Sequence, residues 1–172
     1  MDRDTLRATQ GPLKDQYRSD AGSAVVTLEA TGTLEGEGIS CSVQTGRALV
    51  EAGLHPATGG DGTQACSGDM LLEALVACAG VTLRSVATSM EVDVRSGTVR
   101  AEGDLDFRGT LGVAKDAPVG LRDVRLHFEL DTDAEEATVA KLVQLTERYC
   151  VIYQTLANPP QLSVGHTVTA GV

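Results

Sequence analysis

The stretch from Met70 to Val86 constrains the fold of this chain more than any other. Leu71, Leu72, Leu75, Val76, Val81, Leu83 and Val86 are spread over nearly every side of a helix. A helix on the surface of a globular protein carries one apolar stripe, so apolarity all round predicts a central, buried helix. Ala74, Ala77, Ala79 and Gly80 add a small-residue face on which another backbone can come close. Glu73 and Arg84 interrupt the run, making it too polar for a comfortable membrane span. Ser67 or Asp69 is the expected cap, with Asp69 and Glu73 near the positive end of the helix dipole and Met90 near its finish.

Around this helix the chain alternates between strand-like runs and turns. Val25-Val26-Thr27, Ile39–Val43 and Ala48-Leu49-Val50 read as strands, punctuated by Gly32, Gly36, Gly38 and the loop from His55 to Gly62. Further strands are expected at Glu91–Val94, Thr98–Phe107 and Arg122–Leu130. In the last of these, Val124, Leu126, Phe128 and Leu130 alternate with polar residues, as in a half-buried antiparallel strand. Thr132-Asp133-Ala134-Glu135 has the form of a capping box opening a second helix that reaches Tyr149. Asn158-Pro159-Pro160 ends helical structure, and Gln161–Thr169 reads as a last strand. Strands in runs, separated by helices, indicate an α+β fold rather than a doubly wound parallel sheet. The polar residues 1–20 read as an N-terminal arm, and 21–172 as one domain. With no Trp, two Phe and three Tyr, its core must be built from Leu, Val and Ala.

A formal charge of −10 argues against nucleic acid as a partner, since affinity there comes from Lys and Arg neutralising phosphates. It equally disfavours an anionic membrane surface. No apolar leader stands at the polar N-terminus, so a cytoplasmic protein is expected, in a compartment where thiols stay reduced.

Four cysteines remain to be explained. Cys78 lies in the central helix and Cys150 in the second helical region, much too far apart for a local metal knuckle or a Cys-x-x-Cys motif. Either the fold brings them together for thiol chemistry, or they are two unrelated buried thiols behaving as small hydrophobes. Cys41 falls in a strand-like alternation and Cys66 just before the central helix. With His55 they lack zinc-ligand spacing, so no metal is expected. Gly59-Gly60-Asp61-Gly62 lacks the Lys-Ser/Thr of a P-loop, and no Gly-x-Ser-x-Gly elbow is present; no cofactor is expected either.

The Gly-Gly loop, the run Ser67-Gly68-Asp69-Met70-Leu71-Leu72-Glu73-Ala74-Leu75-Val76-Ala77-Cys78 and the later Tyr149-Cys150 together resemble the OsmC/Ohr family. These are the osmotically inducible and organic hydroperoxide resistance proteins, and the resemblance spans roughly residues 24–168. It implies an intertwined α+β homodimer with two main helices packed on antiparallel sheets. It implies thiol-dependent reduction of organic hydroperoxides in oxidative-stress defence, with Cys78 attacking the peroxide and Cys150 trapping the sulfenic acid as a disulfide. An external dithiol reductant would then reset the pair. The family's activating Arg stands in the turn between the first strands, but here Gly32–Gly38 holds two Glu and no Arg. Arg47, or Arg18, is the implied substitute. Asp69 stands where the family has the Glu that partners this Arg, and Val151 where a Pro commonly follows the second Cys. The alternative is a non-catalytic relative that binds a small apolar ligand at the dimer interface.

Overall fold

A computed structural model describes residues 2–20, 23, 32–33, 40–45, 48–112 and 114–168. The expected strand at Val25-Val26-Thr27 and the turn 34–39 lie outside the described residues, as does Arg47. Among the described residues the elements follow in this order: α1 (Arg3–Ser19), β1 (Gly32–Thr33), β2 (Ser40–Thr45), β3 (Ala48–Gly53), a 3-10 turn (Pro56–Thr58), α2 (Ser67–Met90), β4 (Ser96–Asp104), α3 (Phe107–Thr110), β5 (Arg122–Asp131), α4 (Glu136–Tyr149) and α5 (Val151–Ala157). The strands form two antiparallel sheets, β1-β2-β3 and β4-β5. This is the α+β class that the order of elements implied.

The long helix reaches Met90 as expected, but it already begins at Ser67, ahead of the expected cap. Its N-cap is Cys66, which makes no side-chain capping bond, and neither Ser67 nor Asp69 caps it. Its end is closed by Glu91, in the left-handed region at φ 59°, whose N–H donates to the carbonyls of Ala87 and Thr88.

Burial on α2 is one-sided within the chain. Leu75, Ala79, Leu83 and Ala87 are buried, at four-residue spacing along one stripe. Two Ala in that stripe let other elements approach closely. The lower part packs Leu83 and Ala87 with Val94 and with Leu142 of α4, flanked by Phe128 and Leu130 of β5. The upper part packs Leu75 and Ala79 with Cys150, flanked by Val99, Ala101, Leu126 and Tyr153. The sheet supplies its inner face through the register Val99↔Phe128 and Ala101↔Leu126, so the alternation read in Arg122–Leu130 does face α2. The outer side of α2 is open: Val81 is 74% exposed. A helix apolar all round is thus covered on one side only by its own chain.

The N-terminal arm is folded as a helix, and three other expectations, the capping box and two strands, need correction. The segment 3–19 is helical: Asp2 caps α1 by accepting from the Thr5 N–H, and Arg3 pairs with Glu91 at the end of α2. The Thr132–Glu135 capping box does not form. The Thr132 hydroxyl donates to the Asp93 carbonyl and accepts from the Ala134 N–H, and α4 begins at Glu136 with an uncapped Glu135 ahead of it. That threonine ties the start of α4 to the end of α2 instead. The strands at Glu91–Val94 and Gln161–Thr169 are also absent among the described residues: 92–95 is irregular, and 161–168 carries no sheet partner. Backbone donors without a ladder cannot register as a strand, however strand-like the sequence.

Candidate active site

Where α4 ends and α5 begins, Cys150 breaks the helix. It has an extended backbone (φ −73°, ψ 110°) and serves at once as C-cap of α4 and N-cap of α5. Its N–H donates to the Thr146 carbonyl at 2.8 Å, and its own carbonyl accepts from the Gln154 N–H at 2.9 Å. The Gln154 side chain bridges the break by donating to the Glu147 carbonyl at 2.8 Å. Thr146, fully buried one turn before, satisfies its hydroxyl on the Leu142 carbonyl at 2.9 Å and so can pack as a hydrophobe. The kink is therefore fastened on both sides, and it fixes where the Cys150 side chain points.

It points at α2. Cys150 is fully buried and packs in one cluster with Leu75, Ala79 and the half-buried Cys78, and both cysteines are free thiols. The two thiols are neighbours within that cluster. Of the two readings left open by the sequence, the fold selects the spatial pair. Cys66, at the N-cap of α2, lies outside this cluster, and Cys41 is in β2.

The two thiols are pushed in opposite directions. Burial alone would raise Cys78, but hydrogen bonds from the Ile152 backbone, from Cys150, from the Val151 backbone and from the Thr82 side chain outweigh it. The Cys78 thiol therefore lies below its ordinary value. Cys150 is raised: burial opposes its charge, and so does its role beside Cys78, against which the Tyr153 and Ile152 backbone bonds are insufficient. When the pair loses a proton, the charge settles on Cys78 while Cys150 keeps its hydrogen and donates it. Val151 contributes here through its N–H, a donor that proline would not have. None of these strongest influences on Cys78 is a cation.

An apolar cavity of about 370 Å³ adjoins the pair, lined by Leu71, Leu75, Leu121, Val124, Leu126, Tyr153, Leu156 and Ala157. Leu75, Leu126 and Tyr153 belong both to this wall and to the cluster around the two cysteines. Asp69 is not beside the pair. It is exposed in the first turn of α2, nine residues before Cys78, which at 100° per residue puts it on the opposite face and roughly 13 Å along the axis. Arg18 is spent on Asp15, at 2.5 Å, on the exposed side of α1. Thr82 and the amides of Val151 and Ile152 went unnoticed in the sequence. The threonine was detectable, because it stands one turn beyond Cys78 on the same face. The amides were not, because they depend on where the helix breaks.

Residues 60–165 match the family described as OsmC-like protein. No curated protein matches the chain by sequence. Solved structures share its fold. An OsmC-like protein from Mycoplasma pneumoniae superposes with a TM-score of 0.65 at 17% identity, covering 78% of this chain and 89% of that one. An organic hydroperoxide resistance protein from Elizabethkingia anophelis gives 0.62 at 20% identity, covering 78% and 91%. Another, from Legionella pneumophila, gives 0.61 at 16%, covering 78% and 91%.

Proposed function

The chain belongs to the OsmC-like family, and from that premise we propose that it is a thiol peroxidase reducing organic hydroperoxides through Cys78 and Cys150. Family membership and neighbours named as hydroperoxide resistance proteins support a stress-related role. The observation that carries the finer reading is the asymmetric thiol pair: two cysteines packed in one buried cluster, one lowered and one raised. A reactive thiolate needs a lowered thiol, and a resolving partner must stay close and protonated until it is called on.

In the proposed cycle the Cys78 thiolate attacks the terminal oxygen of the hydroperoxide. The O–O bond breaks, the alcohol leaves with a proton, and Cys78 becomes a sulfenic acid. Cys150 then attacks that sulfur, water departs, and a Cys78–Cys150 disulfide remains. An external dithiol reduces it by exchange, restoring both thiols and becoming a disulfide itself. The apolar cavity against Leu75 and Tyr153 suits an alkyl chain and offers little to hydrogen peroxide. The role of Arg47 as a guanidinium serving the thiolate belongs to the same proposal, whereas Asp69, on the opposite face of α2 from Cys78, takes no part in it.

The functional unit we propose is a homodimer. Val81 on the outer side of α2, and Leu162, Val164 and Val168 in the C-terminal segment, are 74–99% exposed. Apolar surface of this kind, on a helix and on a strand-like segment, calls for a cover of its own kind. A second reading, in which the family fold binds a small apolar ligand without reacting with it, is favoured by the same cavity. The experiment that separates them is steady-state consumption of an alkyl hydroperoxide with a dithiol reductant in wild type, Cys78→Ser and Cys150→Ser. The peroxidase requires turnover in wild type and its loss in Cys78→Ser; equal rates in those two, or none in any, leaves only the binding reading.

A further inference from the structure

Strand β5 is irregular where it meets the apolar cavity. It pairs with β4 in constant register as far as Glu102↔Arg125, but the next pair is Asp104↔Arg122. Asp123 and Val124 therefore stand opposite the single residue Gly103, which is a β-bulge. Asp123 takes a left-handed backbone, at φ 49°, where aspartate is among the few side chains tolerated. The extra residue shifts the alternation of β5 by one. Val124 keeps the inward side of Leu126 and Phe128, but the next residue on the cavity wall is Leu121, where an unbulged strand would put Arg122. Gly103 leaves room for both: a Cβ there would stand 3.0 Å from Leu121 Cδ2 and 3.4 Å from Val124 Cγ2. The bulge thus keeps a guanidinium off the wall and supplies two apolar side chains to it.

The cavity has two ends. Leu75, Leu126 and Tyr153 belong also to the cysteine cluster, whereas Leu71, Val124 and Leu156 do not. Leu71 lies one turn of α2 from Leu75, about 6 Å along the axis, and Val124 lies about 7 Å along β5 from Leu126. At this far end Leu71, Val124 and Leu156 are 37–40% exposed, so it opens to solvent, and Leu121 is half-buried. We propose that Leu121 and Val124, placed by the bulge, are specificity-determining residues: they form the last apolar wall that a substrate's alkyl tail meets and fix how many of its methylenes are buried. The inference rests on the reading of this cavity as the seat of an alkyl group, which the peroxidase and the binding readings share. Tails that stop short of the rim gain with every methylene. Longer tails run out through the open end into water, so further methylenes add nothing and no length is refused.

The test reads binding rather than turnover, in the full chain as wild type, Val124→Ala and Leu121→Ala. Straight-chain alcohols from butanol to decanol, the products that alkyl hydroperoxides leave on reduction, are titrated for protection of Cys78 from iodoacetamide labelling. Labelling is followed by peptide mass spectrometry, with thermal melts to confirm that each variant is folded. In wild type the half-protecting concentration should fall about fourfold per methylene and then level off. Each variant should weaken protection by the longest alcohols at least about fourfold, the effect of one buried methylene, and leave butanol unchanged. If Val124→Ala disturbs the bulge, Leu121→Ala, outside the paired strand, reports on the same wall. Protection that is absent or independent of chain length in wild type overturns the proposal, as does a variant that weakens it equally at every length or at none. A wild type without hydroperoxide turnover would defeat the peroxidase reading and still leave the role of this wall decided by the alcohol series. Turnover together with length-independent protection would defeat this inference alone.

Discussion

The two sides of α2 have the same kind of sequence and opposite fates. On one side Leu75, Ala79, Leu83 and Ala87 vanish beneath α4, α5 and the β4-β5 sheet. On the other, Val81 stays 74% exposed. The covered side also carries Cys78, and its cover brings Cys150 and the α5 amides against the sulfur. So the chain by itself assembles the thiol pair, and the surplus apolarity of α2 is not needed for that. Composition alone does not tell a helix that a chain buries from one that it leaves for a partner. The position of the packed stripe does.

The sharpest way to break this contrast is to cut into each side in turn. Leu142→Ala, at a fully buried position against Leu83 and Ala87, should cost about 2–5 kcal/mol in denaturant unfolding. Val81→Ser, on the open side, should stay within about 0.5 kcal/mol when the protein is dilute enough to be monomeric. Comparable losses at the two positions would mean that the chain covers both sides.

The open side should instead respond in assembly. Val81→Asp is expected to shift sedimentation of the protein from dimer to monomer, with far-UV circular dichroism unchanged. A wild type that sediments as monomer at micromolar concentration would remove the dimer.

On the covered side, the electrostatics can be tested by removing one donor. Proline is well tolerated at the first position of a helix, which is where Val151 stands, and it has no N–H. Val151→Pro should therefore raise the midpoint of Cys78 labelling without unfolding α5. The pH sign follows from the shifts themselves. Cys78 is lowered, so its thiolate forms below the ordinary thiol value of about 8.5, and reactivity is lost as pH falls through the lowered value. Cys150 is raised, so its labelling should begin only above that ordinary value. Labelling of both cysteines in one common pH window would contradict the asymmetry.

The smallest effect is expected at α1. Arg3→Ala removes its ion pair with Glu91, a contact at 2.5 Å between a half-buried arginine and an exposed glutamate, and should lower the unfolding midpoint only slightly. A large drop would make α1 part of the core.

How far the sequence carried this picture varied with the range of the interaction. The end of α2 at Met90 and the inward alternation of Leu126, Phe128 and Leu130 are written locally, and they were legible. The meeting of Cys78 and Cys150 became an expectation only through family resemblance, because nothing local specifies it. Thr132 misled because its hydroxyl had a better use on the Asp93 carbonyl, 39 residues away. The strand read in Gln161–Thr169 has its apolar alternation but no sheet partner among the described residues, with Val164 99% exposed. The donors that lower Cys78 depend on a helix break at a cysteine, and propensity gave no sign of it.

The central claim is that Cys78 and Cys150 act as an unequal redox pair. Its most direct test is to add one equivalent of an alkyl hydroperoxide to the reduced protein and map the cysteines by mass spectrometry without reductant. The account predicts a Cys78–Cys150 disulfide as the main product, with Cys66 still a free thiol, and a stable sulfenic acid on Cys78 when Cys150 is replaced by Ser. Persistence of both thiols, or a sulfenic acid on Cys150 when Cys78 is replaced by Ser, would contradict it.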